Sequence, residues 1–312
     1  MTPAEHHLLL LALAWILASV PLALLAFQVW FRARPVHPVH PVIPHEDDSP
    51  AGSFLDVPLL PVPGSMEPVS AHPRWKRVDG WVALATVAVL SLLMGPLAMP
   101  PESGESFQLS ANLMLMQLVF QLGLAGLLLF YLAGLRGFNL PSLFGLKRQR
   151  IGMVPVWALL WIVPGTLLVG LVNYLTMPWL LDLLGQSEAS PQLIVKALGQ
   201  SPDGMTKLAV VLCVGLGAPF MEELVFRGFL YSVAKRFTHW SYAALGSALF
   251  FASVHGNVLS FVPLTLLGLL FTAAYEHSKN LLVPMVMHAM FNLCQVALMF
   301  YAPQLAQYLE KA

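Results

Sequence analysis

The chain has 312 residues, of which 57% are hydrophobic and only 10% charged, with a mean hydropathy of +0.72. Soluble globular domains carry about 25% charged residues, so the composition excludes one and makes the membrane the solvent to reason in. Sixteen Lys and Arg balance sixteen Asp and Glu, which leaves no basic field for nucleic acid and no acidic tail to solvate a disordered chain.

A run of about 20 apolar residues is needed to cross a hydrocarbon core of roughly 30 Å. Candidate runs recur at Leu8 to Phe31, Val78 to Leu97, Leu113 to Leu135, Met153 to Tyr174, Leu208 to Phe237, Tyr242 to His255, Leu259 to Tyr275 and Leu281 to Tyr301. The expected fold is therefore all-α, a polytopic bundle of about eight transmembrane helices. The sixth run is short and the fifth is interrupted by charge. The first run has Glu5, His6 and His7 before it and Arg32 and Arg34 after it, the reverse of a cleaved signal peptide, so residues 1–34 are read as a retained helix. Residues 35–76 hold ten of the 25 prolines with Glu46, Asp47 and Asp48, a composition that favours extended spacers over a core. The His-Pro repeat with His37, His40 and His45 is assigned no chemistry. Residues 77–152 then form accessory helices, and residues 153–304 form the core that carries the chemistry. Cys213 and Cys294 lie in apolar runs, where cysteine acts as a small buried hydrophobe.

Orientation follows from the excess of Lys and Arg in cytoplasmic loops. With the Pro-rich linker in the cytoplasm, Arg32, Arg34, Arg74, Lys76, Arg77, Arg136, Lys147, Arg148, Arg150, Lys235, Arg236 and Lys279 fall on that side. Lys196, Lys207 and Lys311 fall outside, and Arg227 lies at membrane depth. Both termini are then expected to be extracytoplasmic, in a multi-pass protein of the plasma (inner) membrane.

A charged side chain at membrane depth costs about 2.5 to 3.5 kcal/mol on insertion scales and usually faces the bundle interior, where it marks function. The fifth, sixth and eighth runs concentrate such residues. Glu223 and Arg227 are four apart and share a helix face, in the favourable order for an ion pair. Glu222 points about 100° away and lacks that partner. Phe251 lies one turn before His255, and His288 one turn before Asn292. If the fifth and sixth runs turn near residue 238 or 239, Glu222 and His255 meet at one level, about 24 Å from the turn. His288 lies about 15 Å along its helix from a turn near Ser278, so tilt, a broken helix or an offset turn must bring it in.

A carboxylate away from bulk water can act as general base toward a water that a neighbouring imidazole also holds. The remaining imidazole and the Asn amide are donors suited to the oxyanion that forms on an attacked carbonyl. Peptide hydrolysis is the natural reaction for such a set. The three motifs contain no Ser or Cys nucleophile with a His on its face and no HExxH helix.

In their order, Glu222-Glu223-x-x-x-Arg227, Phe251-x-x-x-His255 and His288-x-x-x-Asn292 resemble the CPBP family of intramembrane proteases, which includes type II CAAX prenyl endopeptidases and Abi-like proteins. The resemblance covers roughly residues 155–300. It implies an all-helical intramembrane core opening toward the cytosol, with Glu222 and His255 activating water and His288 and Asn292 forming the oxyanion hole. Glu223, Arg227 and Phe251 are read as structural support. The implied partners are membrane lipid and a membrane-associated peptide or protein, CAAX-type substrates included, with no nucleic acid and no cofactor. Zinc held by Glu222, His255 and His288 is the rival within the hydrolase class. A non-catalytic scaffold or immunity factor of the same fold, and a proton-coupled transporter, are the rivals outside it.

Overall fold

A computed structural model describes residues 75–94, 110–148, 150–185 and 203–309, and every regular element among them is helical. The run expected at Leu8 to Phe31 and the Pro-rich linker up to residue 74 lie outside the described residues. In lipid, backbone groups must be satisfied within a segment, and several of the described helices begin with a local device that does so. Helix α1 (Arg77–Met94) opens with Asp79, whose carboxylate accepts from Lys76 N–H at 2.6 Å. Ser110 caps α2 (Ala111–Leu135), Asn139 caps the short α3 (Leu140–Leu143), and Asp203 caps α5 (Gly204–Phe237), each by accepting from a backbone N–H three residues on. Such caps satisfy donors that the first turn leaves free. Between them runs α4 (Ile151–Leu183). Helices α6 (Trp240–Ser253), α7 (Phe261–Ser278) and α8 (Leu282–Leu309) complete the described chain.

Four of these helices are long and apolar enough to cross a membrane: α2, α4, α5 and the Leu282–Tyr301 part of α8. Helices α1, α6 and α7 stand at other positions where apolar runs predict spans. With 14 residues, α6 reaches about 21 Å, short of a full crossing. Outward faces are apolar, as Leu160, Leu167 and Leu175 of α4 show. This is a membrane protein whose interior holds a set of buried polar groups, Asp79, Glu223, Arg227 and His288 among them. Cys213 is buried, whereas Cys294 is exposed on α8; an apolar run predicts burial from water, and the lipid-facing side of α8 meets that requirement without burial in protein.

Two of the joins set the level of the site. At one end of the bundle, Arg136 forms a two-point ion pair with buried Asp79, Nε to Oδ1 at 2.6 Å and Nη2 to Oδ2 at 3.0 Å, and Tyr131 O–H donates to the same carboxylate at 2.7 Å. Lys235 and Lys279 both reach Glu276 at 2.6 Å, so the α5–α6 and α7–α8 turns share that end. The second join is the segment after α3. Phe144 C=O accepts from Leu281 N–H at 2.9 Å, and Gly145 adopts φ +67° with its α-carbon against the Lys279 carbonyl, a place where a Cβ would collide. Leu281 in turn lies against Gly228 of α5, where a Cβ would stand 3.0 Å from the Leu281 side chain. The α7–α8 turn is thus set deep, level with Gly228 instead of Thr238. Glu222 is six residues from Gly228 and His288 seven from Leu281, so both lie about 10 Å beyond the contact. Of the three ways to bring His288 in, the offset turn is the one the fold uses.

Candidate active site

The central helix α5 departs from regular α geometry twice, with π-helical turns at Val211–Gly217 and Leu224–Tyr231 flanking the α-helical Ala218–Glu223. Single π turns inside helices are rare and frequent at functional sites. Proline explains a consequence of the first. Ala218 N–H donates to Cys213 C=O, and Pro219 has no N–H to offer. The Val214 carbonyl is therefore free, and Asn292 Nδ2 donates to it at 2.9 Å. This bond holds α8 to α5 one turn from the imidazole of His288.

Around Glu223 the side chains form a buried network. Arg227 Nη1 donates to Glu223 Oε1 at 2.9 Å, and His288 Nδ1 lies 2.9 Å from the same oxygen. A carboxylate only accepts, so Nδ1 of His288 carries the proton. Arg227 Nη2 donates to Gly268 C=O at 2.9 Å, tying α5 to α7. The guanidinium, fully buried, lies 4.7 Å from the Phe251 ring centroid and 5.2 Å from that of Phe271, within reach of the aromatic quadrupole. Phe251 packs edge-to-face with Phe226 at a centroid separation of 5.2 Å, and its centroid lies 4.8 Å from that of His255 and 5.8 Å from that of His288. One aromatic ring thereby fixes the distance between two imidazoles and a cation.

Glu222 occupies the neighbouring face. Its Oε2 lies 3.9 Å from His255 Nε2 and 3.9 Å from His288 Nε2, and that oxygen is buried without a direct hydrogen-bond partner. His255 follows the end of α6, and its Nδ1 lies 2.7 Å from the Phe251 carbonyl. A carbonyl cannot donate, so Nδ1 carries the proton, and Nε2 faces Glu222. The structure brings Glu222, His255 and His288 together, places Glu223, Arg227 and Phe251 behind them, and anchors Asn292 to Val214. The motifs alone left three things unread. Glu223 serves His288 as well as Arg227. Phe271 stacks on His288 with centroids 4.6 Å apart at 26°, and no spacing points to it. Val214 receives Asn292, and Pro219 inside an apolar run was the available signal, since a proline there must leave a carbonyl to be satisfied by a neighbouring helix.

A polytopic helical membrane protein with an acid and imidazole cluster buried between α5, α6 and α8 is the class that fold and site define. Residues 204–294, which contain all three motifs, match the model of the Rce1-like type II CAAX prenyl endopeptidases. An Escherichia coli protein described as an uncharacterized 24.3 kDa protein is 31% identical over 144 residues, covering 41% of this chain and 66% of that protein. YdiL of Bacillus subtilis (strain 168), named there as a candidate membrane peptidase, is 23% identical over 146 residues, covering 47% of this chain and 57% of its own length. The chain thus spans less than two thirds of these curated relatives. No solved structure matches it.

Proposed function

We propose that the protein is an intramembrane endopeptidase that hydrolyses a peptide bond of a membrane-associated substrate with water activated by Glu222 and His255. The observation that carries this reading is the Glu222 Oε2 atom, buried, without a direct partner, and 3.9 Å from two imidazole nitrogens. That separation is too long for a hydrogen bond and is a length that one bridging water can span. Such a water donates one proton to Oε2 and one to Nε2 of His255, which leaves a lone pair for the substrate carbonyl. Glu222 takes the proton during attack and returns it to the leaving amine. His288, when protonated at both nitrogens, presents Nε2–H to the oxyanion while Glu223 balances its charge at Nδ1. Asn292 gives one N–H to Val214 and keeps a second for the same oxyanion. Glu223, Arg227 and Phe251 act as positioning residues. The family-model match over residues 204–294 and the peptidase name of the Bacillus subtilis relative support the reaction class.

One observation favours a second reading. Both imidazoles have Nδ1 held by an acceptor, which is also how metal-ligating histidines are oriented, and one Glu with two His is a hydrolase ligand set for zinc. The proposal is that turnover needs no transition metal and no other cofactor. Its test is metal analysis of purified active protein together with turnover of a quenched peptide before and after chelation. Stoichiometric zinc, with activity lost on chelation and restored by zinc, overturns the metal-free mechanism in favour of Glu222, His255 and His288 as ligands. A phenotype that survives Glu222→Gln in cells overturns both in favour of a scaffold.

The domain reading accompanies this function: a first helix at 1–34, a cytoplasmic linker at 35–76, accessory helices at 77–152 and the protease core at 153–304, in the plasma (inner) membrane with both termini outside. The cationic loops support that orientation.

A further inference from the structure

We propose that the seam between the start of α4 and the end of α7 binds an anionic phospholipid. Lys147, Arg148 and Arg150 hold its phosphate, and Trp157, Trp161 and His277 carry the upper part of its acyl chains. The site does not rest on the peptidase reading, and it stands whichever way the bundle is oriented in the membrane.

The first observation is uncompensated charge. Lys147, Arg148 and Arg150 are exposed on the segment that joins α3 to α4, and none of them pairs with a carboxylate among the described residues. The described acids at this end of the bundle are taken, Asp79 by Arg136 and Glu276 by Lys235 and Lys279. The segment is also held in place. Gly145 packs on the Lys279 carbonyl, Arg148 N–H donates to Gly145 C=O at 3.0 Å, and Ile151 opens α4. Three positive charges are thus fixed at the rim of the apolar core, an arrangement that attracts lipid phosphate. The second observation is the aromatic step beneath them. Trp157 and Trp161 are one turn apart on α4, and the His277 ring of α7 lies 5.3 Å from the first and 5.9 Å from the second, centroid to centroid. His277 is exposed and both indoles are half buried. Tryptophan favours the headgroup level, where an amphipathic ring meets both water and lipid. Trp157 lies about 10 Å along the chain axis from Arg150, enough to span an interfacial layer of about 5 to 8 Å and reach the acyl region.

The third observation is a place for the chain. Helices α4 and α7 run antiparallel along this seam: Trp157 and Trp161 stand against His277, and Gly165 takes the Leu270 side chain, 3.2 Å from where a Cβ would lie. Between His277 and Leu270, on the same face of α7, the residue is Ala273, small and exposed, so the seam stays shallow there. Leu160 and Leu167, both exposed, continue an apolar surface down α4. Together these features select the occupant. A free anion needs the cations but not the rings, and a neutral lipid needs the rings but not the cations. An acidic peptide would carry its charge against tryptophans at membrane depth, where charge is costly. An anionic phospholipid satisfies the cations and the apolar seam at once. Its headgroup would also brace Gly145 on Lys279, the join that sets the level of His288.

The experiment places the full chain in phosphatidylcholine vesicles containing a minor fraction of brominated lipid, either phosphatidylglycerol or phosphatidylcholine. Quenching of tryptophan fluorescence then gives the affinity for the anionic lipid relative to the zwitterionic one. Brominated phosphatidylglycerol should quench the wild type more strongly, and the Trp157→Phe, Trp161→Phe protein should lose that excess. A cation beside an anionic headgroup is worth about fivefold in affinity. Arg150→Gln should therefore lower the preference about fivefold, and joint replacement of Lys147, Arg148 and Arg150 by Gln about 100-fold. These side chains are exposed, so the fold does not depend on them. Arg236→Gln, exposed at the end of α5, should leave the preference unchanged. Equal quenching of the wild type by the two lipids overturns the site. So does an equal loss in Arg236→Gln and Arg150→Gln, which would mean attraction to the charged end as a whole. Excess quenching that inorganic phosphate abolishes and chloride at the same ionic strength does not would make this a free-anion site and overturn the lipid. An excess that appears only when Glu46, Asp47 and Asp48 are replaced by Ser would make the chain's own acidic linker the occupant, and overturns it as well.

Discussion

Adjacent glutamates divide the labour through the direction each side chain takes from α5. Glu223 is enclosed by Arg227 and His288, and Glu222 looks into the exposed side of the cluster. Glu222→Gln keeps shape and hydrogen bonding but removes the proton acceptor, so turnover should fall by about 10²-fold or more, within the range of general base catalysis, at unchanged thermal stability. Glu223→Gln strands Arg227 in the core, and breaking a buried pair costs about 3 to 5 kcal/mol. Its principal defect should be expression and melting temperature in detergent, and neutralising both Glu223 and Arg227 should recover part of the loss. A stable but inactive Glu223→Gln protein would show the two roles exchanged. Spacing made the Glu223 and Arg227 pair legible in sequence, as it did Phe251 before His255. The bond from His288 to Glu223 was not legible, because it joins residues 65 apart and depends on where α8 is set along α5.

At the scale of elements, Pro219 and Gly145 carry more than their local geometry. Pro219→Ala supplies the missing N–H one turn from Val214, and that carbonyl then has a partner within its own helix. Asn292 should lose its anchor, and kcat should fall about tenfold, a fraction of the 10² to 10³ associated with an oxyanion donor. Melting temperature should hold or rise, since a proline in a helix interior costs about 3 kcal/mol. An unchanged kcat would remove Asn292 from the mechanism. Gly145→Ala places a Cβ at positive φ, a cost of about 1 to 2 kcal/mol, and drives it into the Lys279 carbonyl. Thermal unfolding should show at least that loss, and kcat per folded molecule should drop as well, because the α7–α8 turn sets the level of His288. The α5–α6 turn was readable from Lys235, Arg236, Thr238 and His239. The depth of the α7–α8 turn was not, since it is decided by Phe144 and Gly145, residues more than a hundred positions earlier in the chain.

For the whole molecule, the ends of the helices matter more than their number. Four described helices satisfy the length and apolarity of a membrane crossing, and the short α6 creates the loop that carries His255 to the exposed side of the cluster. The charge distribution predicts a cytoplasmic linker and external termini. In the background without Cys213 and Cys294, Ser49→Cys should resist an impermeant maleimide in intact cells and Ala312→Cys should react. Reaction at Ser49→Cys with protection at Ala312→Cys would invert the bundle.

Composition and apolar runs were enough to assign an all-helical membrane protein, because burial from water in lipid is a property of each segment taken alone. Helical spacing likewise placed Glu223 with Arg227 and separated Glu222 from both, since those relations hold within one helix. Tertiary structure alone decided that one carboxylate oxygen meets two imidazoles, that a proline-freed carbonyl holds Asn292, and that Glu223 serves His288 as well as Arg227. Each of these depends on how far one helix slides past another, and in lipid that offset is set by close packing at a few contacts such as Gly228 against Leu281, not by hydrophobicity, which is nearly the same at every register.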